Sequence, residues 1–110
     1  FKLGNYQVAI TQFRGFMEQF PQSQLTPSAQ YWVGNGHYAL RDYKAAISAQ
    51  ERVVATWPDN AKASDAMLNI ASSQAELGDL NAARQTLRAV VDKYPKTPAA
   101  DQARQRLSRR

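Results

Sequence analysis

The chain has 110 residues, of which 44% are hydrophobic and 21% charged, values that are ordinary for one globular domain. It has no run of about 18 apolar residues, so no membrane-spanning segment is predicted, and it has no cysteine, which excludes disulfides and thiol chemistry. The net charge of +5 arises late in the chain, because residues 1–83 hold six Lys/Arg against seven Asp/Glu and residues 84–110 hold eight against two.

A sequence motif occurs three times with a period of 37 residues. It opens with Gly4-Asn5-Tyr6, Arg41-Asp42-Tyr43 and Gly78-Asp79-Leu80, and it closes with an aromatic residue followed by Pro21, Pro58 and Pro95. A period in this range predicts stacked copies of one supersecondary unit. Such stacks present surfaces instead of enclosing reactive pockets, so the repeat also argues against an enzyme.

Apolar residues at helical spacing predict one helix before each of these prolines, which we name helix B, and one after it, helix A. In chain order the predicted helices cover about residues 5–20, 27–40, 43–57, 62–77, 80–94 and 98–107. The order is therefore B-A-B-A-B-A, and Phe1-Lys2-Leu3 is expected to be the remainder of an earlier helix A in a longer protein. We expect Thr26 or Ser28 to cap the second helix, Thr97 to cap the last, and Gly78 to end the fourth.

Small residues recur where the paired helices are expected to cross. They are Gly34 and Ala71 in the helices A, and Ala9, Ala46 and Ala83 in the helices B. Helices whose axes lie about 8–10 Å apart need small side chains at the crossing, so we interpret all five as packing residues. The aromatic residues before each proline are expected to fill the gap between one repeat and the next.

The repeated motif resembles the tetratricopeptide repeat. In that repeat, helix A contains a small residue and a tyrosine, the turn reads Gly-Asp-Tyr, and helix B contains an alanine and a proline. The fullest copy matches it at Gly34, Tyr38, Tyr43, Ala46 and Pro58. The usual repeat has about 34 residues, and the extra length here follows the proline. The resemblance implies an all-α, right-handed solenoid of antiparallel helix pairs. Its parts would be helix B of a truncated first repeat at 1–21, repeats at 22–58 and 59–95, and a C-terminal capping helix at 96–110.

The linkers carry a narrower resemblance. The segment Tyr94-Pro95-Lys96-Thr97 and residues 29–34 (Ala-Gln-Tyr-Trp-Val-Gly) are similar to the C-terminal domain of the YbgF (CpoB) family of the Tol-Pal cell-envelope system. That family implies a periplasmic protein with a trimeric N-terminal coiled coil. Its repeat domain would bind TolA and help to coordinate peptidoglycan synthesis with outer-membrane constriction in cell division. Assembly lipoproteins of the BamD type have similar linkers, so the alternative is a scaffold in outer-membrane protein assembly.

In such a solenoid the helices A line a concave groove in which partner segments lie. The side chains expected on this groove are Tyr31, Asn35 and Tyr38, then Asp65, Leu68 and Ser72, and finally Gln105 and Arg109. Tyrosine and arginine dominate interface hot spots, which suits such a groove to peptide binding. Each residue taken singly is explained as well by core packing or by solvation. Domains that grip a C-terminal carboxylate need a basic residue four positions before the asparagine of the first groove helix, where this chain has Tyr31.

Neither a metal site nor catalysis is predicted. His37 is the only histidine and has no cysteine or spaced carboxylates near it. No nucleophile–base arrangement and no glycine-rich phosphate loop is recognisable, so no cofactor is expected. The late arginines, Arg104, Arg106, Arg109 and Arg110, have no aromatic residue among them. We therefore expect a solvated helix or an acidic protein partner there instead of nucleic acid.

Two expectations concern aromatic residues that are not covered. Tyr31 and Trp32 are adjacent, so one of them must point away from the core between the helices. The first helix carries Phe13, Phe16, Met17 and Phe20 without a full helix A to pack on them. This edge is therefore expected to be partly apolar and to promote self-association, since the terminal units of a repeat array normally need a polar outer face.

Overall fold

The computed structural model describes residues 3–109, and this part of the chain contains helices and no strand. The helices are α1 (Leu3–Gln19), α2 (Thr26–Ala39), α3 (Tyr43–Thr56), α4 (Ala61–Glu76), α5 (Leu80–Lys93) and α6 (Pro98–Ser108). The predicted all-α architecture is confirmed, with α1, α3 and α5 as helices B and α2, α4 and α6 as helices A. Of the supposed remainder of an earlier helix A, Phe1 and Lys2 lie outside the described residues.

Each helix packs against the next one along the chain, and the helices A also pack against one another, α2 against α4 and α4 against α6. The backbones of the helices B stay apart, because within residues 3–109 no Cα atom of α3 lies within 8 Å of a Cα atom of α1 or α5. Neighbouring repeats are therefore closer together on the side of the helices A. This side is the inner surface of a curved stack that measures 42 × 29 × 19 Å.

The core contains one apolar cluster in each half of the stack. The first joins α1, α2 and α3 and comprises Ile10, Val33 and Ala49, with Phe13, Met17 and Leu40 packed against it. The second joins α4, α5 and α6 and comprises Leu68, Ala71, Leu87, Val90, Ala99, Ala100 and Ala103. The abundant alanines allow close approach of the helices, as the small-residue pattern predicted.

The turn from helix A to helix B is built alike in the second and third copies. The residue that follows the C-cap of helix A has a left-handed backbone, with φ 63° for Arg41 and φ 86° for Gly78. The next residue, Asp42 or Asp79, caps helix B by accepting the backbone N–H three residues on, at 3.3 and 3.2 Å. Gly78 thus follows the end of α4 as predicted, whereas Arg41 adopts the same backbone at a steric cost that glycine avoids.

One of the two predicted helix caps is correct. Thr97 caps α6 by accepting the N–H three residues on at 3.1 Å. The prediction for α2 was wrong, since neither Thr26 nor Ser28 caps it and the N-cap is Leu25, without a side-chain hydrogen bond. Thr26 Oγ1 donates instead to the carbonyl oxygen of Phe20 at 2.9 Å. The hydroxyl therefore ties the linker to the end of α1.

The aromatic residues before the prolines differ in what they fill. The Tyr94 hydroxyl donates to the carbonyl oxygen of Pro58 at 2.7 Å, which joins the ends of two successive repeats as expected. Phe20 contradicts the expectation, since it is 49% exposed and contacts Phe16 at 5.4 Å between ring centroids.

Candidate protein-binding surface on the helices A

The inner surface is formed by side chains of α2, α4 and α6. The predicted contact residues that lie half-buried on it are Tyr31, Asn35 and Tyr38 on α2, and Asp65 and Ser72 on α4. Gln105 of α6 and Arg109, the C-cap of that helix, are exposed. These side chains stand on rigid helices, which hold them at fixed positions while leaving polar atoms open to a partner.

Leu68 does not reach the inner surface, which corrects its assignment to the groove. It is 8% exposed and belongs to the apolar cluster between α4, α5 and α6. Its place in the repeat is that of Tyr31, which is half-buried. The aliphatic side chain packs in the core because burial removes it from water, whereas the tyrosine also carries a polar hydroxyl.

Two hydrogen bonds join successive helices A at equivalent positions of the repeat. Asn69 Nδ2 donates to Asn35 Oδ1 at 2.7 Å, which ties α4 to α2. Arg106 Nη1 donates to Ser72 Oγ at 2.7 Å, which ties α6 to α4. Asn69 and Arg106 are 37 residues apart, as are Asn35 and Ser72. The sequence did not predict these contacts of Asn69 and Arg106. The 37-residue period could have pointed to them, because both residues occupy the position of Trp32 in later copies of the repeat.

At one end of the inner surface a lysine lies over two aromatic rings. Lys62 Nζ is 5.0 Å from the ring centroid of Tyr31 and 5.4 Å from that of Trp32. Burial raises the pKa of Tyr31, and the nearby Asp65 carboxylate raises it further, while the side chain of Asn35 opposes the shift. Tyr31 therefore remains a neutral hydroxyl at physiological pH and can donate a hydrogen bond.

At the other end, two tyrosines and a glutamate meet. The rings of Tyr38 and Tyr43 are in an edge-on arrangement with centroids 5.4 Å apart. The Tyr43 hydroxyl lies 3.4 Å from Glu76 Oε2. Burial raises the pKa of Tyr38, and the Glu76 carboxylate adds to the increase. The inner surface thus has aromatic groups at both ends and amide, hydroxyl and guanidinium groups between them.

Two buried glutamines fix the inner surface from behind, and sequence reasoning missed both. Gln30 Nε2 donates to the carbonyl oxygen of Ala49, and Gln50 Nε2 donates to that of Tyr31, each at 3.0 Å. Gln50 sits against Gly34, where an added Cβ would lie 2.3 Å from the glutamine Cδ. Glutamine is mostly exposed in proteins, so the residue type gave no hint of burial.

His37 is a buried residue of α2 that faces α1. Arg14 Nη2 lies 3.1 Å from His37 Nε2. Burial lowers the pKa of His37, the Arg14 charge lowers it further, and Asp42 opposes the shift. Arginine is always a donor, so Nε2 is the acceptor and the imidazole is neutral. Within residues 3–109, no group of three or more His, Cys, Asp or Glu side chains is arranged to hold a metal ion.

The arginines of α6 bond in different directions. Arg104 forms a salt bridge with Asp101 at 2.9 Å and donates to the carbonyl oxygen of Pro95. Arg106 bonds to Ser72 on the inner surface. The basic character of this helix is therefore divided between two of its sides instead of forming one cationic stripe.

The tetratricopeptide repeat family matches the chain twice, over residues 1–61 and over residues 65–97. The first match alone covers more than half of the sequence. This chain belongs to the tetratricopeptide repeat family. The membership confirms the family prediction, and the paired helices follow from it. The repeats are the kind of fold that serves as a scaffold for protein–protein interaction.

Among characterised proteins, the chain is similar to the outer membrane protein assembly factor BamD of Caulobacter vibrioides. The two are 30% identical over 112 residues, which is 94% of this chain and 37% of BamD. The chain thus spans little more than a third of the length of that relative. No helix in the described part of this tetratricopeptide-repeat protein is long and apolar enough to cross a membrane.

Proposed function

We propose that this tetratricopeptide-repeat domain binds a segment of a protein partner along its inner surface. The observation that carries the proposal is the row of half-buried side chains on α2 and α4, with Tyr31 and Tyr38 at its two ends. Rigid tyrosines supply large contact area at a low cost in conformational entropy. The amide and guanidinium groups between them offer donors and acceptors to a peptide backbone.

The partner segment would be anchored at its two ends by the tyrosine rings. Lys62 beside Tyr31 offers a cation, and Glu76 beside Tyr43 offers an anion. Asp65 also lies near Tyr31 and Arg106 near Tyr38, so each end of the surface offers both signs of charge to a polar segment. Gln105 and Arg109 would extend the contact onto α6.

For the biological setting, we propose the periplasm and the Tol-Pal system. TolA would be the partner, and the protein would help to coordinate peptidoglycan synthesis with outer-membrane constriction in cell division. The support is the resemblance of the aromatic-proline linkers and of residues 29–34 to the YbgF (CpoB) family. The division into a truncated first repeat, two full repeats and a capping helix is part of this proposal.

A second candidate is a scaffold in outer-membrane protein assembly. The similarity to BamD over 94% of this chain favours it. Depletion of the protein from its own cells separates the two candidates. The Tol-Pal role predicts a division defect with a normal content of outer-membrane proteins, whereas the assembly role predicts a loss of outer-membrane proteins first.

The binding proposal is tested by titration calorimetry with purified TolA. The variants Tyr31→Ala and Tyr38→Ala should each weaken binding by about tenfold or more, as hot-spot tyrosines do. The matched control is Phe20→Ala, because Phe20 is an aromatic residue that is 49% exposed at the end of α1. Unchanged affinity in both tyrosine variants would refute the inner surface as the binding site. Absence of TolA binding by the unmodified domain would refute TolA as its partner.

A further inference from the structure

A groove lies on the side of the helices B, between α1 and α3, and α2 forms its floor. We name it the outer groove. Its volume is about 900 Å³, within the range of about 300–1,000 Å³ that is usual for ligand sites. Ala45 and Trp57, which both line it, are 12 residues apart, so it is about 18 Å long. This length accommodates about five residues of an extended peptide and exceeds what a small ion needs.

The equivalent groove between α3 and α5 is bridged by its own side chains. Thr86 Oγ1 donates to Gln74 Oε1 at 2.7 Å, which joins α5 to the floor helix α4, and Met67 packs against the second core cluster. The outer groove has Ala49 in place of Thr86 and Gln30 in place of Met67. Ala49 has no hydroxyl for such a bridge, and Gln30 is held against α3 by its bond to the carbonyl oxygen of Ala49. The space between α1 and α3 is therefore left open.

Two arginines line the outer groove from opposite walls, Arg14 on α1 and Arg52 on α3. Arg52 is equivalent to Gly15, so the two arginines stand at nearly the same level of two equivalent helices. Both are exposed, and within residues 3–109 neither forms a salt bridge. Arg14 uses Nη2 on His37, which leaves its other donors free. Paired guanidinium groups of this kind are suited to bind a carboxylate through charge-assisted hydrogen bonds.

The arginine pair belongs to this groove and not to the repeat. In the groove between α3 and α5, the positions of Arg14 and Arg52 are occupied by Glu51 and Ala89. The helices pack alike in both places, so helix packing does not require a guanidinium at either position. The two arginines therefore give the outer groove a charge that the next groove lacks.

The linker end of the outer groove differs from its middle. Met17, Pro21 and Trp57 form an apolar patch there. Glu18 is the one carboxylate that lines the groove, and it lies one turn beyond Arg14 on α1. This end is therefore suited to an apolar side chain whose backbone N–H, or a neighbouring basic group, lies near Glu18. The cationic middle of the groove is suited to an acidic residue.

We propose that the outer groove binds an extended acidic segment of a protein partner. A carboxylate of that segment lies between Arg14 and Arg52, and an apolar side chain of it lies against Met17 and Trp57. The outer groove is on the other side of α2 from the inner surface. The proposal is therefore independent of the function proposed for the inner surface, and the domain can hold two segments at once.

The test selects the segment without assuming its sequence. A phage library of random octapeptides is selected on the full chain and then depleted on the double variant Arg14→Gln and Arg52→Gln, which keeps long polar side chains without their charge. The recovered peptides are titrated against Trp32→Phe, which leaves Trp57 of the groove as the single tryptophan, since the chain has two. We expect Asp and Glu to be enriched several-fold over the input library and Trp57 emission to change on binding.

The dissociation constant should rise about tenfold in Arg14→Gln and in Arg52→Gln. Arg52→Gln serves as the variant that leaves the fold intact, because Arg52 is exposed and makes no hydrogen bond within residues 3–109. Arg88→Gln is the matched control, since Arg88 is an exposed arginine at the position of Arg14 on α5 and does not line the groove. It should leave the affinity unchanged, and so should Lys62→Gln on the inner surface.

Three results would overturn the proposal. The first is a selection without enrichment of acidic residues, or equal binding of peptides in which amides replace the carboxylates. The second is a loss of affinity in Lys62→Gln as large as in Arg52→Gln, which would assign the peptides to the inner surface. The third is displacement of the peptides by an equal concentration of free glutamate, which would assign the outer groove to a small carboxylate.

Discussion

The contact between Gly34 of α2 and Gln50 of α3 leaves no room for a methyl group. A Cβ on Gly34 would lie 2.3 Å from Gln50 Cδ, and Gln50 is fully buried and bonded to the carbonyl oxygen of Tyr31. Gly34→Ala should therefore destabilise the fold by about 2 kcal/mol. This value combines about 1–3 kcal/mol for overpacking and about 1 kcal/mol for the strained hydrogen bond, less about 1 kcal/mol of helix propensity.

The third copy shows which second change compensates. The equivalent pair there is Ala71 and Leu87, both buried in one cluster. Gln50→Leu removes the amide and its buried Oε1, which has no hydrogen-bond partner, but it also removes the bond to α2. Its own effect should stay within about 1 kcal/mol. In that background Gly34→Ala should cost nothing, giving a coupling energy of about 2 kcal/mol.

The assay is urea unfolding of the four proteins of this cycle, followed by far-ultraviolet circular dichroism and compared at constant m-value. Gly15→Ala is the matched control, because Gly15 lies in α1 and nothing approaches its added Cβ within 4 Å. This substitution should stabilise the fold by up to about 1 kcal/mol. An equal cost of Gly34→Ala with glutamine and with leucine at position 50 would refute the reasoning, since the clash would then not involve Gln50.

The left-handed turn residues should respond to substitution with opposite signs. Arg41→Gly should stabilise by about 1 kcal/mol and Gly78→Ala should destabilise by a similar amount, measured as urea midpoints; shifts of the same sign would contradict the shared turn geometry. Burial lowers the pKa of His37 in the folded protein. The free energy of unfolding should therefore have its full value above about pH 6.5, the usual pKa of histidine, and should decrease as the pH falls towards the folded pKa. The reason is that the unfolded chain binds the proton more readily. The difference between the unmodified protein and His37→Gln isolates this component, and parallel pH curves for the two would contradict it.

Much of the fold followed from the sequence because the signals are local. Thr97 caps the last helix and Gly78 allows the chain to leave α4, both as predicted. The caps Asp42 and Asp79, which were not predicted, are equally local. Each of these depends on a few neighbouring residues and their backbone angles. The same local reasoning failed at Thr26, whose hydroxyl bonds to an oxygen six residues earlier.

The candidate site followed from the sequence only in outline. The 37-residue period located Tyr31, Asn35 and Ser72 on the helices A, but it also placed Leu68 on the groove, where the structure shows a core residue. The period repeats backbone positions, whereas side-chain burial depends on what each neighbouring helix carries. Asn69 was missed for this reason, since its role exists only in relation to Asn35 on another helix.

The sequence by itself determined the helix order and the repeat length, because periodicity and capping act within a single turn or helix. The tertiary structure decided which polar groups are buried and which apolar groups remain open. Gln50 is enclosed because Gly34 lets its helix approach, and Trp32 is exposed because no helix within residues 3–109 covers its edge of the stack. Both outcomes depend on the distance between helices, which no single segment of the chain encodes.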